Sequence, residues 1–345
     1  VKAKKVRPVR VTGDSLVRAE PMGPGPSQPL VITPSGGGLA LREWVPANRE
    51  PLAGHLRTRG AVLLRGFDVA DAAAFEQVVE AYSPRTLDYY ERSTPRQEVG
   101  GKVYTSTEFP PERHIPLHSE SAYSYYWPMT LWFCCITPAS EGGATPIADT
   151  RELLRLLGPG LRERLAERKV MYIRNYHDGF DIPWQVAFQT EDPEVVAAYC
   201  RRTGMEWEWL PGGRLRTRQV LDAIVTHPDT GDEVFFNQVH AYHIASLDPE
   251  TRAAVSEMFP PDDLPRDVRY GDGTPFPAAE LEEIRRAYEQ ATVAFPWRRG
   301  DVMALDNMLM AHGREPYRGL RKVVVAMSDP YDRQKLREKL GEVTA

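Results

Sequence analysis

The stretch IPLHSESAYSYYWPMTLWF, residues 115–133, sets His118 and Glu120 one residue apart in aromatic-rich text. Its continuation MTLWFCCIT (129–137) is dense in apolar and aromatic residues, as a buried strand requires. Residues two apart in a strand point to one face. His118 and Glu120 are therefore expected to project together, with Leu117 and Ser119 facing away. Alone, an HxE pair is a common accident, and its meaning depends on what surrounds it.

Further strand text lies on the C-terminal side. KVMYIRNY (169–176) is one run, and AIVTHPDTGDEVFFNQ (223–238) reads as a hairpin about Asp229-Thr230-Gly231. DVMALDNMLMAHG (301–313) and LRKVVVAMS (320–328) flank the turn text EPYRG. Helices are expected at 150–157, 192–203, 249–258 and 278–291. On the N-terminal side, a helix over Asn48–Arg59 leads into a short strand, AVLLRGF (61–67). DVADAAAFEQVVEAYS (68–83) then combines a capping aspartate with helical apolar spacing. Thirty prolines in 345 residues suit short strands and long loops better than a helical bundle. No internal repeat is visible. These features give a mainly β fold with peripheral helices, a jelly-roll barrel forming one domain over residues 30–345. Residues 1–29, basic and then Pro/Gly-rich, are expected to form a solvated arm.

A net charge of −5 disfavours a protein that grips nucleic acid through phosphates. Cys134, Cys135 and Cys200 supply neither a disulfide framework nor a zinc-type pair. With no long uncharged apolar stretch and no signal-peptide pattern, the expectation is a cytoplasmic protein away from membranes.

Among eight histidines three pairings compete. His114 and His118 have helical spacing, but Pro116 lies between them and the HExxH pattern is absent. His240 and His243 have no acidic or thiol partner close by. His118 and Glu120 are completed by His312, near the end of the strand-like ALDNMLMAHG. Two imidazoles and one carboxylate on one face leave three octahedral positions open, an arrangement suited to Fe(II) and O2 chemistry. Asp306 is a candidate either to support His312, on strand parity, or to cap a turn, while Asn307 would face the other way.

LHSE, then EGGATPIADTREL (141–153), then DNMLMAHGREPYRGLRKVVVAM (306–327) resemble, in that order, the taurine dioxygenase/clavaminate synthase-like superfamily. The resemblance spans about residues 60–328. It implies a double-stranded β-helix and an Fe(II)- and 2-oxoglutarate-dependent dioxygenase, with His118, Glu120 and His312 as metal ligands. It places Thr145, with 24 residues between it and Glu120, and an arginine at the distal carboxylate of 2-oxoglutarate. The family arginine usually lies a little further along than this chain allows. Arg321, nine residues after His312, is taken for it ahead of Arg314 and Arg318. An intact Glu120 argues against the halogenating relatives, in which a small residue replaces the carboxylate.

AYSYYWP, DIPWQ, FNQVHAYH and HGR further resemble a subgroup of nonribosomal peptide and other specialised-metabolite pathways. That resemblance implies hydroxylation of an amino-acid-like small molecule, in some members tethered to a peptidyl carrier protein. Tyr123, Trp184, Asn237, Gln238, His240 and Arg314 are its substrate-side candidates. Desaturation, epoxidation or cyclisation at the same iron is the alternative outcome. An inactive barrel serving as a binding protein is the remote one.

Overall fold

Both faces of the strand Tyr126–Thr137 are buried, and this sets the architecture. Leu131, Phe133 and Cys135 enter one core, while Trp132 and Cys134 enter another. That is why the sequence here is continuously apolar rather than alternating, and why the two adjacent cysteines sit in different cores.

The computed structural model describes residues 16–25, 27–85, 98–100, 103–105, 109–177 and 179–341. Its larger sheet runs, in spatial order, Val17–Pro21, Leu30–Pro34, Ala61–Leu64, Val302–Asp306, Tyr126–Thr137, Lys322–Asp332, Val103–Thr105 and Glu98–Gly100. Its described pairings are antiparallel except that of Leu30–Pro34 with Ala61–Leu64. A smaller sheet orders Thr292–Val293, Ile147–Asp149, Met310–Arg314 and Ile115–His118. Leu63, Phe133, Met303 and Val325 of the first sheet share a core with Ile147 and Met310 of the second. This is the jelly-roll, double-stranded β-helix expected from the sequence.

Helices Leu41–Ala47, Arg49–Arg59 and Ala72–Tyr82 cover the outer face of the larger sheet through Trp44, Leu52, Leu56, Phe75 and Val79. The smaller sheet turns Leu117, Ala148 and Ala311 outward. They meet helices Thr150–Leu156, Pro159–Arg168 and Ala278–Ala291 and the strands Val170–Asn175 and Arg266–Tyr270. Asp71, Asp149, Asp192, Asp248 and Asp332 each accept a backbone N–H at a helix start. Such a cap typically contributes about 1 kcal/mol. The capping aspartate read at 68–83 is Asp71, whereas the helix Arg333–Leu340, capped by Asp332, was not expected.

Two expectations need correction. Val17–Pro21 pairs with Leu30–Pro34, so the expected arm joins the sheet edge from Val17 onward; residues 1–15 lie outside the described residues. The run 301–313 is two strands, Val302–Asp306 and Met310–Arg314, separated by a turn. The strands belong to different sheets, and that turn carries the chain from one to the other.

Candidate active site

His118 ends the strand Ile115–His118 and stands directly opposite His312 in the antiparallel pair with Met310–Arg314. Opposed residues share a face, so the two imidazoles meet with ring centroids 4.5 Å apart. Leu117 and Ala311, one residue away on each strand, face the outer core instead. His118 Nδ1 lies 2.8 Å from the Pro116 carbonyl. Donation to that oxygen fixes the tautomer and leaves the Nε2 lone pair as the metal-directed one. His312 Nε2 is 4.0 Å from Glu120 Oε2. The three ligand atoms of His118, Glu120 and His312 all lie within 4.8 Å of one another. Two imidazole nitrogens and a carboxylate oxygen at this spacing fit one Fe(II), with the remaining coordination positions open to small ligands.

Glu120 does not share a strand with His118, contrary to the expectation. The strand stops at His118, and Glu120 opens a turn in which Ser121 has φ 57°. Its position therefore comes from side chains outside the strand. Asn307 Oδ1 accepts the Glu120 backbone N–H at 2.8 Å, and Asn307 Nδ2 donates to the Glu120 carbonyl at 2.9 Å. Gln238 Nε2 donates to the Ser119 carbonyl at 2.7 Å. Arg333 Nη2 donates to the Ala122 carbonyl at 3.1 Å.

Asp306 does not support His312. Its Oδ1 accepts the N–H groups of Met308 and Leu309 at 3.0 and 3.1 Å, capping the turn, and its Oδ2 lies 3.1 Å from His227 Nε2. The parity argument failed because a turn separates Asp306 from His312. An aspartate whose carboxylate can reach the amides two and three residues on was the available signal for that turn.

A cavity opens beside the histidines, lined by His118, His312, Thr145, Arg314 and Arg321 with apolar walls at Phe133, Val323 and Val325. Two arginines and, among the described residues, no acidic residue line it, so it suits an anion. Arg321 Nε donates to the Gly143 carbonyl at 2.9 Å, and its Nη2 lies 3.4 Å from Thr145 Oγ1. Burial, helped by the neighbouring Arg314, pushes the Arg321 pKa down to about 10. Arg314 donates to the carbonyls of Phe109, Pro110 and Arg113, and burial lowers its pKa too. Arg318 points elsewhere, 82% exposed and 3.5 Å from Glu141. Trp297, which the sequence reading missed, donates its indole N–H to Thr145 Oγ1 at 3.0 Å. Gly142 and Gly143 have φ 68° and 70°, and a Cβ on Gly142 would lie 2.3 Å from the Pro316 carbonyl. The paired glycines thus let the Thr145 loop approach the segment that carries Arg321.

The substrate-side candidates fall in several places. Tyr123 sits with Tyr172, Arg174 and Tyr242 around a small cavity behind the Glu120 turn. Gln238 contacts the turn that carries Glu120. Arg314 lies on the anion cavity. Asn237 is engaged by backbone at both ends, bonding the Ala223 carbonyl and the Val239 N–H. Trp184 packs edge-on to Trp209 and donates to the Gly213 carbonyl. His240 stacks on Tyr288 with ring centroids 5.0 Å apart.

Comparison with known proteins matches residues 20–327 to the taurine catabolism dioxygenase TauD, TfdA family. The chain belongs to this dioxygenase family. The enzyme class and cofactor pair expected from the sequence, an oxidoreductase using Fe(II) with 2-oxoglutarate, stand with it. Dapdiamide synthesis protein DdaC of Enterobacter agglomerans is 37% identical over 310 residues, covering 90% of this chain and 94% of that protein. A clavaminate synthase-like protein of Arabidopsis thaliana is 30% identical, over 87% of this chain and 93% of the relative. Among solved structures, PvcB of Pseudomonas aeruginosa superimposes with a TM-score of 0.53 at 17% identity, covering 93% and 94% of the two chains. Another PvcB structure is described as an Fe, alpha-ketoglutarate dependent oxygenase from an isonitrile synthetic pathway. At such identity the structural likeness speaks for the shared fold. Among the described residues, no helix is long and apolar enough to cross a membrane.

Proposed function

We propose that His118, Glu120 and His312 hold Fe(II), and that Arg321 and Thr145 receive the distal carboxylate of 2-oxoglutarate. The substrate is an amino-acid-like small molecule in a biosynthetic pathway, hydroxylated at an unactivated C–H bond. The carrying observation is the His–Glu–His cluster beside a cavity lined by two arginines and, among the described residues, no acidic residue. Bound Fe(II) and 2-oxoglutarate supply the oxidising power, with 2-oxoglutarate decarboxylated to succinate and CO2 as O2 is consumed.

The chain's own residues position and exclude. Pro116 orients the His118 ring, and the Glu120 turn presents the carboxylate from a second direction. The Arg321 fork matches a planar carboxylate, which a point-charge lysine would not. Phe133, Val323 and Val325 keep the cavity wall dry, which strengthens each charge interaction inside it. DdaC's part in dapdiamide synthesis and PvcB's isonitrile pathway support the biosynthetic reading. The amino-acid-like substrate rests on the sequence resemblance around Tyr123 and Gln238.

An anaerobic optical titration of the apo-protein with Fe(II), then 2-oxoglutarate, tests the site. A visible charge-transfer band is expected, lost in His118→Ala and weakened in Arg321→Ala. Iron binding without any band would overturn the assignment. Succinate release with free against carrier-loaded amino acids then tests the substrate, and product mass separates gain of one oxygen from loss of two hydrogens.

A further inference from the structure

We propose that Asn307 and Gln238 are positioning residues that fix the Glu120 carboxylate for metal binding. This rests on Glu120 being a ligand, as proposed above. The histidines are held by strand pairing, His118 against His312 and His312 against Ile147. Glu120 has no such ladder. It sits in a turn, two residues past a strand end, beside a residue in left-handed conformation. Left to itself, such a turn would sample several carboxylate positions and form the three-ligand geometry only part of the time.

Asn307 removes that freedom by closing both backbone groups of Glu120 with one planar amide, as a neighbouring strand would. The amide is anchored in turn. Asn307 Nδ2 also donates to the Pro128 carbonyl at 2.9 Å, and the Asn307 backbone N–H donates to the Met129 carbonyl at 2.9 Å. The clamp is therefore referenced to the strand Tyr126–Thr137 at the barrel wall. Asn307 is fully buried, so water cannot replace these bonds. Gln238 fixes the residue between the two ligands: its side chain holds the Ser119 carbonyl, and its own N–H donates to the Tyr172 hydroxyl at 2.8 Å. Both side chains bond the backbone of the Glu120 turn rather than its carboxylate, so they act on the metal position through that turn.

Co(II) is the probe, because its visible spectrum reports the ligand set as well as occupancy. Supporting residues around metal ligands typically change affinity by about 10–100-fold, and that range is expected for Asn307→Ala and Gln238→Met. At saturating Co(II) both spectra should move toward that of Glu120→Ala. The double variant Glu120→Ala/Asn307→Ala should bind Co(II) no more weakly than Glu120→Ala alone, because the clamp acts only through that carboxylate. If Asn307→Ala does not fold, Gln238→Met decides, since it removes a single donor and the Ser119 carbonyl keeps the Ala122 N–H. A folded Gln238→Met or Asn307→Ala with wild-type affinity and spectrum, while Glu120→Ala is weakened, overturns the proposal. An unweakened Glu120→Ala would instead remove the ligand assignment beneath it.

Discussion

Trp297 donates its indole N–H to the Thr145 hydroxyl at 3.0 Å, and this bond determines where the hydroxyl proton goes. A threonine oxygen has one proton and two lone pairs. Trp297 occupies one lone pair, and Arg321 Nη2, at 3.4 Å, approaches as a second donor. The proton is then left to point into the cavity that Thr145 lines. The site so offers an anion a hydroxyl donor beside a guanidinium.

Thr145→Val keeps the shape and removes that donor. One hydrogen bond to a charged group contributes about 1.5–3 kcal/mol, so 2-oxoglutarate should bind roughly 10–150-fold more weakly. Trp297→Phe removes only the orienting bond, and a loss of about threefold is expected. Anaerobic titration of the Fe(II) protein measures both. A Thr145→Val affinity within twofold of wild type would show that the hydroxyl does not reach the carboxylate.

Arg321→Lys keeps a positive charge but gives up the planar fork. At least a roughly tenfold weaker 2-oxoglutarate affinity is expected, with Fe(II) binding unchanged. Arg318→Ala is the control, since Arg318 points to solvent. If Arg318→Ala weakens cosubstrate binding and Arg321→Lys does not, the two arginines have been assigned the wrong way round.

How much of this was legible in the chain follows from how local each cause is. The helix Ala72–Tyr82 announced itself through apolar spacing and its aspartate cap, and buried strands through runs such as MTLWFCCIT, because both signals lie in adjacent residues. His118 and His312 were legible from the local LHSE and AHG text in motif order, whereas the parity rule that tied them to Glu120 and Asp306 failed where each strand ended early. Glu120 was legible as a ligand type but not in its placement, since Ser119–Ala122 leaves the strand. Asn307, Gln238 and Trp297 act across 187, 119 and 152 residues of chain respectively. No spacing rule connects residues so far apart, and Asn307 was set aside because the strand was read straight through its turn.

Arg65 and Asp301 tie the strand Ala61–Leu64 to the segment bearing Trp297. Arg65 Nε and Nη2 reach the carboxylate at 3.0 and 2.7 Å, Nη2 also meets the Pro296 carbonyl at 3.1 Å, and Asp301 is 1% exposed. Arg65→Met leaves a buried carboxylate without its counter-charge and should destabilise by about 3 kcal/mol. Adding Asp301→Asn should restore part of that loss. Urea unfolding of the single and double variants measures the coupling, and strict additivity would mean the pair acts independently.

His240 gives the fold an acid limit. Burial, then repulsion from His114 and Arg285, pushes its pKa from 6.5 down to about 4. Between those values the unfolded chain binds a proton that the folded chain refuses, so stability rises with pH across that interval. The contribution is fully present above about 6.5 and is lost as pH falls toward 4. Allowing for the ring's partial exposure, it is on the order of 2 kcal/mol. His240→Phe preserves the stack on Tyr288 and cannot titrate. Carboxylates also titrate near the lower end of this window, so the informative quantity is the difference between variant and wild type. Urea unfolding at pH 7 and pH 5 should show wild type losing more stability on acidification than His240→Phe. Equal losses would mean that His240 protonates in the folded protein as easily as in the unfolded chain.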